Sequence, residues 1–279
     1  MTEQLQKKIN FAIRLLKAYD DPQNQVEIAY SGGKDSDVIL QLAKEADINF
    51  RAIYKNTTID PPGTIKHVKD MGVEIRQPKQ TFLQLVEQKG FPSRFVRFCC
   101  DKLKEYKILN KCVLGVRKQE SRKRDELYDE PTKCLYYGKA KNEENYVEAI
   151  YPILYWTTED VAEFIKDRGI RCAPIYYDEK GKFHPERRLG CMGCPLTYKT
   201  KRIKDFKEHP GLLKAWLRSG QKFMDSHPNS YATTHYGDVY EFFTRTVFYN
   251  SDEELHKHDG LFGKADYKDF LERKFDIIL

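Results

Sequence analysis

Leu5, Ile9, Ala12, Ile13, Leu16 and Tyr19 recur at three- and four-residue intervals, which predicts an amphipathic helix closed by Asp20-Asp21-Pro22. The short apolar run Val26 to Tyr30 predicts a buried strand, and Val38, Ile39, Leu40, Leu42 and Ala43 predict a helix over Ser36 to Ala46. The alternation continues with a strand from Asn49 to Tyr54, a helix from Ile65 to Met71 and a strand from Val73 to Arg76. A helix from Thr81 to Gln88 follows, with Phe82, Leu85 and Val86 on its inner side. Cys99 and Cys100 open a helix expected to run towards Leu109, and Cys112 to Val116 reads as the next strand. Val147 to Tyr151 reads as an edge strand, and Thr157 with Asp160 caps a helix from Val161 to Arg168 that Gly169 stops. This rhythm predicts an α/β fold with a doubly wound, mostly parallel sheet, whose strand order the pattern does not set.

Between Arg117 and Asn145 the chain turns strongly charged, the mark of a surface insertion or an active-site cover. Beyond a turn-rich section from Cys172 to Pro195, helices are expected around Thr200 to Glu208 and Leu212 to Met224, with Trp216 and Leu217 packed inside. The expected organisation is a nucleotide-binding domain over residues 1–197 and a mainly helical C-terminal appendage over 198–279. No run approaches the roughly 18 apolar residues that a spanning helix needs. Met1 to Lys8 leads into a charged amphipathic segment rather than a secretory core, so a cytoplasmic protein without membrane contact is expected. A formal net charge of +6 favours anionic partners without choosing among them.

At the first strand-to-helix junction stands Ser31-Gly32-Gly33-Lys34-Asp35-Ser36. Consecutive amides at a helix start offer converging positive dipoles to a phosphate, and glycines let the chain curl around it. Lys34 adds charge, the Ser31 and Ser36 hydroxyls can donate, and Asp35 is expected to cap the helix or hold Mg²⁺. The glycine spacing differs from the G-x-x-x-x-G-K-[ST] phosphate loop. After the later strand, Gly115 to Arg124 can present Arg117 and Arg124 to phosphate or sulfate, with Glu120 and Ser121 orienting the pocket. Taken alone, that charge run more often marks a solvated surface, and its position after an apolar strand raises the binding reading.

Seven cysteines in a chain without a recognisable export signal do not read as a disulfide framework. Cys191-Met192-Gly193-Cys194 can put two thiolates on a soft metal centre, and the vicinal Cys99-Cys100 can supply two more. Adjacent cysteines suit separate iron corners of a four-iron four-sulfur cube better than one tetrahedral zinc, though a redox dithiol or zinc site has the same short motif. Cys112, Cys134 and Cys172 read as structural or incidental.

The nucleotide loop, the Gly115-to-Arg124 segment and the cysteine pairs together resemble the phosphoadenosine phosphosulfate reductase family, of adenine nucleotide alpha-hydrolase-like fold, over roughly Val26 to Leu196. That family includes iron–sulfur adenosine phosphosulfate reductases and DNA phosphorothioation enzymes. Tyr151-Pro152-Ile153 through Trp156-Thr157-Thr158-Glu159-Asp160-Val161 resembles its Pro-Ile…Trp-Thr-x-x-Asp-Val segment, and Leu189 to Pro195 its late ligand loop. The resemblance implies that Cys99, Cys100, Cys191 and Cys194 hold a four-iron four-sulfur (4Fe-4S) cluster, with Lys104 near its sulfides. It further implies that Asn56 contacts the nucleotide and that Asp60 binds metal or polarises a nucleophile.

Two departures stand out: Lys107-Ile108 replace the family's Pro-Leu, and no cysteine follows Cys194, where the reductases carry the nucleophile that attacks substrate sulfur. The Lys-Asp form of the first loop is similar instead to loops that split ATP between its α and β phosphates. The expectation is an ATP-dependent adenylating sulfur-transfer enzyme acting on nucleic acid, with ATP and Mg²⁺ and with a cysteine desulfurase as sulfur donor. The alternatives are a sulfonucleotide reductase, or an ATP-binding iron–sulfur adaptor for a nucleic-acid-processing or defence partner.

Overall fold

A computed structural model of the chain describes residues 1–120, 122–137, 141–248 and 266–279. Among them, six strands form one sheet in the order β3-β2-β1-β4-β6-β5. The strands are β1 (Val26–Tyr30), β2 (Phe50–Lys55), β3 (Glu74–Arg76), β4 (Lys111–Val113), β5 (Thr132–Tyr136) and β6 (Tyr146–Ile150). All neighbours are parallel except β5 and β6. The expected α/β fold with a mostly parallel sheet is present.

The chain separates into two compact units. The first comprises residues 1–56, 60–78 and 103–190, and contains the whole sheet. Its helices α1 (Glu3–Ala18) and α2 (Lys34–Ala46) bury Leu5, Ile9, Leu16, Val38, Ile39 and Leu42 with Val26 and Ile28 of β1. Helix α3 (Thr64–Asp70) contributes Val68 to a second cluster with Tyr30, Leu40 and Tyr54. The second unit comprises residues 57–59, 79–102 and 191–279. It contains α4 (Phe82–Lys89), α5 (Phe98–Leu103), α8 (Lys199–Glu208), α9 (Pro210–Ser226) and further short helices. Its core is aromatic: Phe206 lies edge-on to Trp216, Phe243 and Phe275, and Phe82 packs on Trp216 at 4.6 Å between ring centroids.

Several elements depart from the sequence pattern. The helix opened by Cys99 ends at Leu103 instead of running towards Leu109. The reason lies in the sheet, where Glu27 is 1% exposed and pairs with Lys55 at 3.0 Å. Lys55 Nζ donates to the Tyr106 carbonyl (2.7 Å) and Leu109 N–H donates to Glu27 (3.3 Å), so these bonds draw the segment into an irregular path across the buried pair. The charged insertion carries a short helix, α6 (Arg122–Leu127), and a strand, β5, whose half-exposed residues lack the apolar alternation that would announce it. Its pairing with β6 makes β6 internal and β5 the edge strand, correcting the edge assignment of Val147 to Tyr151. The helix after Thr157 is α7 (Thr158–Asp167), and Thr157 and Asp160 do form a capping box.

Candidate functional site

In the first unit, the order β2-β1-β4 means that the chain leaves β1 towards one side of the sheet and later returns on the other. The crevice at the carboxyl ends of β1 and β4 is therefore the switch point where open α/β sheets take ligands. Ser31 to Gly33 follow β1, and Leu114 to Arg117 follow β4. Gly32 has φ +77°, and a Cβ there would sit 3.1 Å from Thr64 Cγ2, so both conformation and space call for glycine. Gly33 is the N-cap of α2 and supplies no side-chain cap, while its carbonyl accepts from Ser36 N–H at 2.9 Å and Asp37 N–H at 3.0 Å. The expected capping by Asp35 is therefore corrected, because Asp35 lies inside the first turn.

Asp35 instead accepts from Lys34 Nζ at 3.0 Å and from Arg117 Nε at 2.8 Å. Lys34 and Arg117 are 2% and 3% exposed, an unusual depth for two cations around one carboxylate. Arg117 Nη2 also stands 3.9 Å from Glu120, which Arg188 approaches at 3.7 Å. Gly115 lies against Asp35 and Ile39. Ser36 Oγ donates to the Gly33 carbonyl at 2.7 Å, and Ser31 Oγ accepts from Gly33 N–H at 3.3 Å, so both hydroxyls brace the loop.

The structure thus brings Ser31 to Ser36, Gly115, Arg117 and Glu120 together. Asp60 is placed with Tyr54, whose hydroxyl donates to it, and with Lys104, 3.9 Å away. Asn56 donates to Gln77 at 2.8 Å. Ser121 and the side chain of Arg124 lie outside the described residues.

Sequence reasoning missed a polar group in the same unit. Tyr30 Oη donates to Asp37 Oδ1, and His67 Nε2 lies 2.9 Å from that oxygen and 3.0 Å from Tyr30 Oη. Burial, then the Asp37 charge, pushes the Tyr30 hydroxyl up; burial and Asp37 do the same to the Cys172 thiol. Tyr176 was missed as well; its hydroxyl accepts from Leu189 N–H at 3.3 Å and Lys34 Nζ stands 5.5 Å from its ring. No motif marks these residues, since Asp37 and His67 read in sequence as ordinary helix-surface positions.

The four thiols all belong to the second unit, Cys99 and Cys100 in α5, Cys191 and Cys194 in the loop before α8. The Cys99 thiol is pushed well above its ordinary range by its hydrogen bond with Cys100, then by burial, then by the charges of Cys100, Cys194 and Cys191. The four sulfurs are thus electrostatic neighbours. Among the described residues, no three His, Cys, Asp or Glu side chains converge as ligands of one ion. A zinc site needs sulfurs about 2.3 Å from a common centre. A cubane places each thiolate on its own iron, and four thiols are a soft donor set that either centre accepts.

The late loop is firmly tethered. Met192 N–H donates to the Ile59 carbonyl at 2.9 Å, Gly193 N–H to Asp205 at 3.0 Å, and Cys191 Sγ lies 3.6 Å from Thr57 Oγ1. Thr57 to Ile59, between Asn56 and Asp60, group with this loop, and Thr58 holds a left-handed φ of +65° while accepting from Phe82 N–H.

Residues 25–197 match the model of the phosphoadenosine phosphosulfate reductase domain. The chain belongs to this family. Among curated relatives of this phosphoadenosine phosphosulfate reductase-domain chain, an uncharacterized protein of Methanocaldococcus jannaschii is 28% identical over 238 residues, covering 79% of this chain and 54% of its own length. The chain spans about half the length of this relative and of a second from the same organism, 46% of which is covered. The tRNA-cytidine(32) 2-sulfurtransferase of Hahella chejuensis is 24% identical over 255 residues, covering 80% of this chain and 81% of its own. Among solved structures, phosphoadenylyl-sulfate (PAPS) reductase from Candida auris aligns at a TM-score of 0.45 and 13% identity, covering 68% of this chain and 96% of that one. Among the described residues, no helix is long and apolar enough to cross a membrane.

Proposed function

We propose that this member of the phosphoadenosine phosphosulfate reductase-domain family is an ATP-dependent adenylating enzyme of sulfur transfer, with nucleic acid as acceptor. The observation that carries the reading is the pair of buried cations, Lys34 and Arg117, around Asp35 beside the uncapped start of α2. This is a preorganised setting for the charge of a triphosphate and of departing pyrophosphate. The positive end of α2 behind the Gly32-Gly33 turn faces phosphate oxygens, Lys34 neutralises charge on the leaving group, and Arg117 and Glu120 keep Asp35 aimed. Asp35 and Asp60 would hold Mg²⁺, which supplies charge neutralisation across phosphate oxygens. Cys99, Cys100, Cys191 and Cys194 would hold a four-iron four-sulfur cluster, which supplies a soft site able to carry sulfur or tune its acceptance.

In the reaction, an acceptor oxygen attacks the α-phosphorus, the α–β bond breaks, and pyrophosphate leaves with the bonding pair. A persulfide sulfur, such as a cysteine desulfurase provides, then displaces AMP together with that oxygen. A thiol reductant supplies the two electrons that cleave the remaining S–S bond. The name of the Hahella relative supports a nucleic acid as acceptor, as does the net charge of +6. The family match also favours a second reading, sulfonucleotide reduction. The Lys34-Asp35 form of the first loop, with its buried cation pair, weighs against it.

The test uses anaerobically purified protein with its iron retained. Formation of AMP and pyrophosphate in step with thiolated nucleotide is expected when ATP, a persulfide donor, a thiol and nucleic acid are supplied. Sulfite release from a sulfonucleotide, with no ATP cleavage, would establish the reductase instead.

A further inference from the structure

Phe95 and Tyr198 are 89% and 86% exposed, the most exposed aromatic side chains among the described residues. Each stands four residues from a cysteine of the thiol group: Phe95 before Cys99, Tyr198 after Cys194. Four residues span at most about 14 Å, so each ring lies within that reach of one thiol of the second unit.

Neither ring sits on a slack loop. Ser93 Oγ accepts from Phe95 N–H at 3.2 Å and from Val96 N–H at 3.0 Å, while Ser93 N–H donates to the Val96 carbonyl at 3.1 Å. On the other side, Thr197 N–H and Oγ1 both donate to the Cys194 carbonyl, at 3.0 and 2.8 Å. The buried Arg202 donates to the Pro195 and Thr197 carbonyls, both at 2.8 Å, clamping the turn that leads into Tyr198. The chain thus holds the backbone beneath two large rings that stand in water.

The surroundings are basic. Arg94 and Arg97 flank Phe95 and are exposed. Helix α8 adds Lys199, Lys204 and Lys207, with Lys201 paired to Asp205. Rigid aromatic faces among cations are what an unpaired strand recognises: bases stack on the rings and phosphates meet the charges. A duplex offers the charges its phosphates but keeps its base faces stacked inside.

We infer that Phe95 and Tyr198 form a stacking platform that binds single-stranded nucleic acid, or an unpaired loop, beside the four thiols. The platform rests on the nucleic-acid reading above and narrows it to unpaired bases. It would hold a target base out of its stack next to the thiol group.

The test is fluorescence anisotropy of the full chain, iron retained, with labelled single-stranded RNA, single-stranded DNA and duplexes of the same sequence. Wild type should bind a single strand at least tenfold tighter than duplex, and the RNA and DNA arms show which sugar is preferred. Phe95→Ala and Tyr198→Ala should each weaken single-strand binding about 5- to 100-fold, the loss of one base–aromatic stack. Phe95→Trp should restore binding, and the slope of affinity against salt should stay unchanged in all three. Equal binding of single strand and duplex, or unaltered binding by both alanine variants, overturns the platform. So does concentration-dependent self-association that both variants abolish, since the rings would then be an interface between copies of this chain. Strand binding that needs the rings, in a protein that forms no AMP or pyrophosphate, would uphold the platform and refute the adenylation chemistry.

Discussion

Lys34 and Arg117 are buried cations that converge on Asp35, and their chemistry is separable from that of the thiols because each set belongs to its own compact unit. Lys34→Ala removes a buried charge at the proposed anion site, in the unit that does not contain the thiol loop. Its expected effect is a fall in the rate of pyrophosphate formation by about 10²- to 10³-fold, the usual loss for one preorganised donor. Iron and labile sulfide should stay at wild-type levels; loss of iron in this variant would contradict the assignment. Gly193 shows the same economy of position in the second unit. At φ +70°, with a hypothetical Cβ 2.5 Å from Phe206 Cζ, it is where the loop from Cys191 to Cys194 presses on the aromatic core.

At the scale of elements, α7 illustrates how local chemistry sets a boundary. Thr157 Oγ1 accepts from Asp160 N–H at 3.2 Å, Asp160 accepts from Thr157 N–H at 2.6 Å, and Lys8 of α1 pairs with the same carboxylate. Thr157→Ala should destabilise the protein by about 1 kcal/mol, read by urea denaturation. Burial opposes ionisation of Asp160, but Lys8 and Thr157 outweigh it and hold the carboxyl below the ordinary range. With the folded value below the unfolded one, this group's stabilisation is complete above the unfolded value, about 3.9, and is lost as pH falls through the folded one. Asp160→Asn should flatten that acid limb of the stability profile; an unchanged limb would assign it to other carboxylates. The capping box was legible because it lies within four residues. The end of α5 at Leu103 was not, because the competing partners, Glu27 and Lys55, come from distant strands.

At the scale of the molecule, the second unit is assembled from segments far apart in sequence, and its thiols join two of them, residues 99–100 and 191–194. The chain has two tryptophans, Trp156 in the first unit and Trp216 in the second, so single-tryptophan variants report each unit separately. Removing iron, or Cys191→Ser, should lower the Trp216 thermal transition by at least about 4 °C, the displacement that about 1 kcal/mol gives in a unit of this size. The Trp156 transition should move less, and equal movement of both would deny the cysteines a role confined to their own unit. By itself the sequence determined what lies within a few residues: the alternation of strand and helix, the form of the loop at Ser31 to Ser36, the capping box and the two cysteine pairs. These follow from side-chain periodicity and from side chains bonding their own backbone, which a short window contains. Only the tertiary structure decided the strand order, the antiparallel β5, the fastening of Arg117 to Asp35, the buried Tyr30–Asp37–His67 group and the joining of 79–102 to 191–279. The physical reason is that each is a pairing of polar or half-exposed groups across a large sequence separation, settled by which surfaces are buried together and by the need to satisfy the polar atoms trapped there.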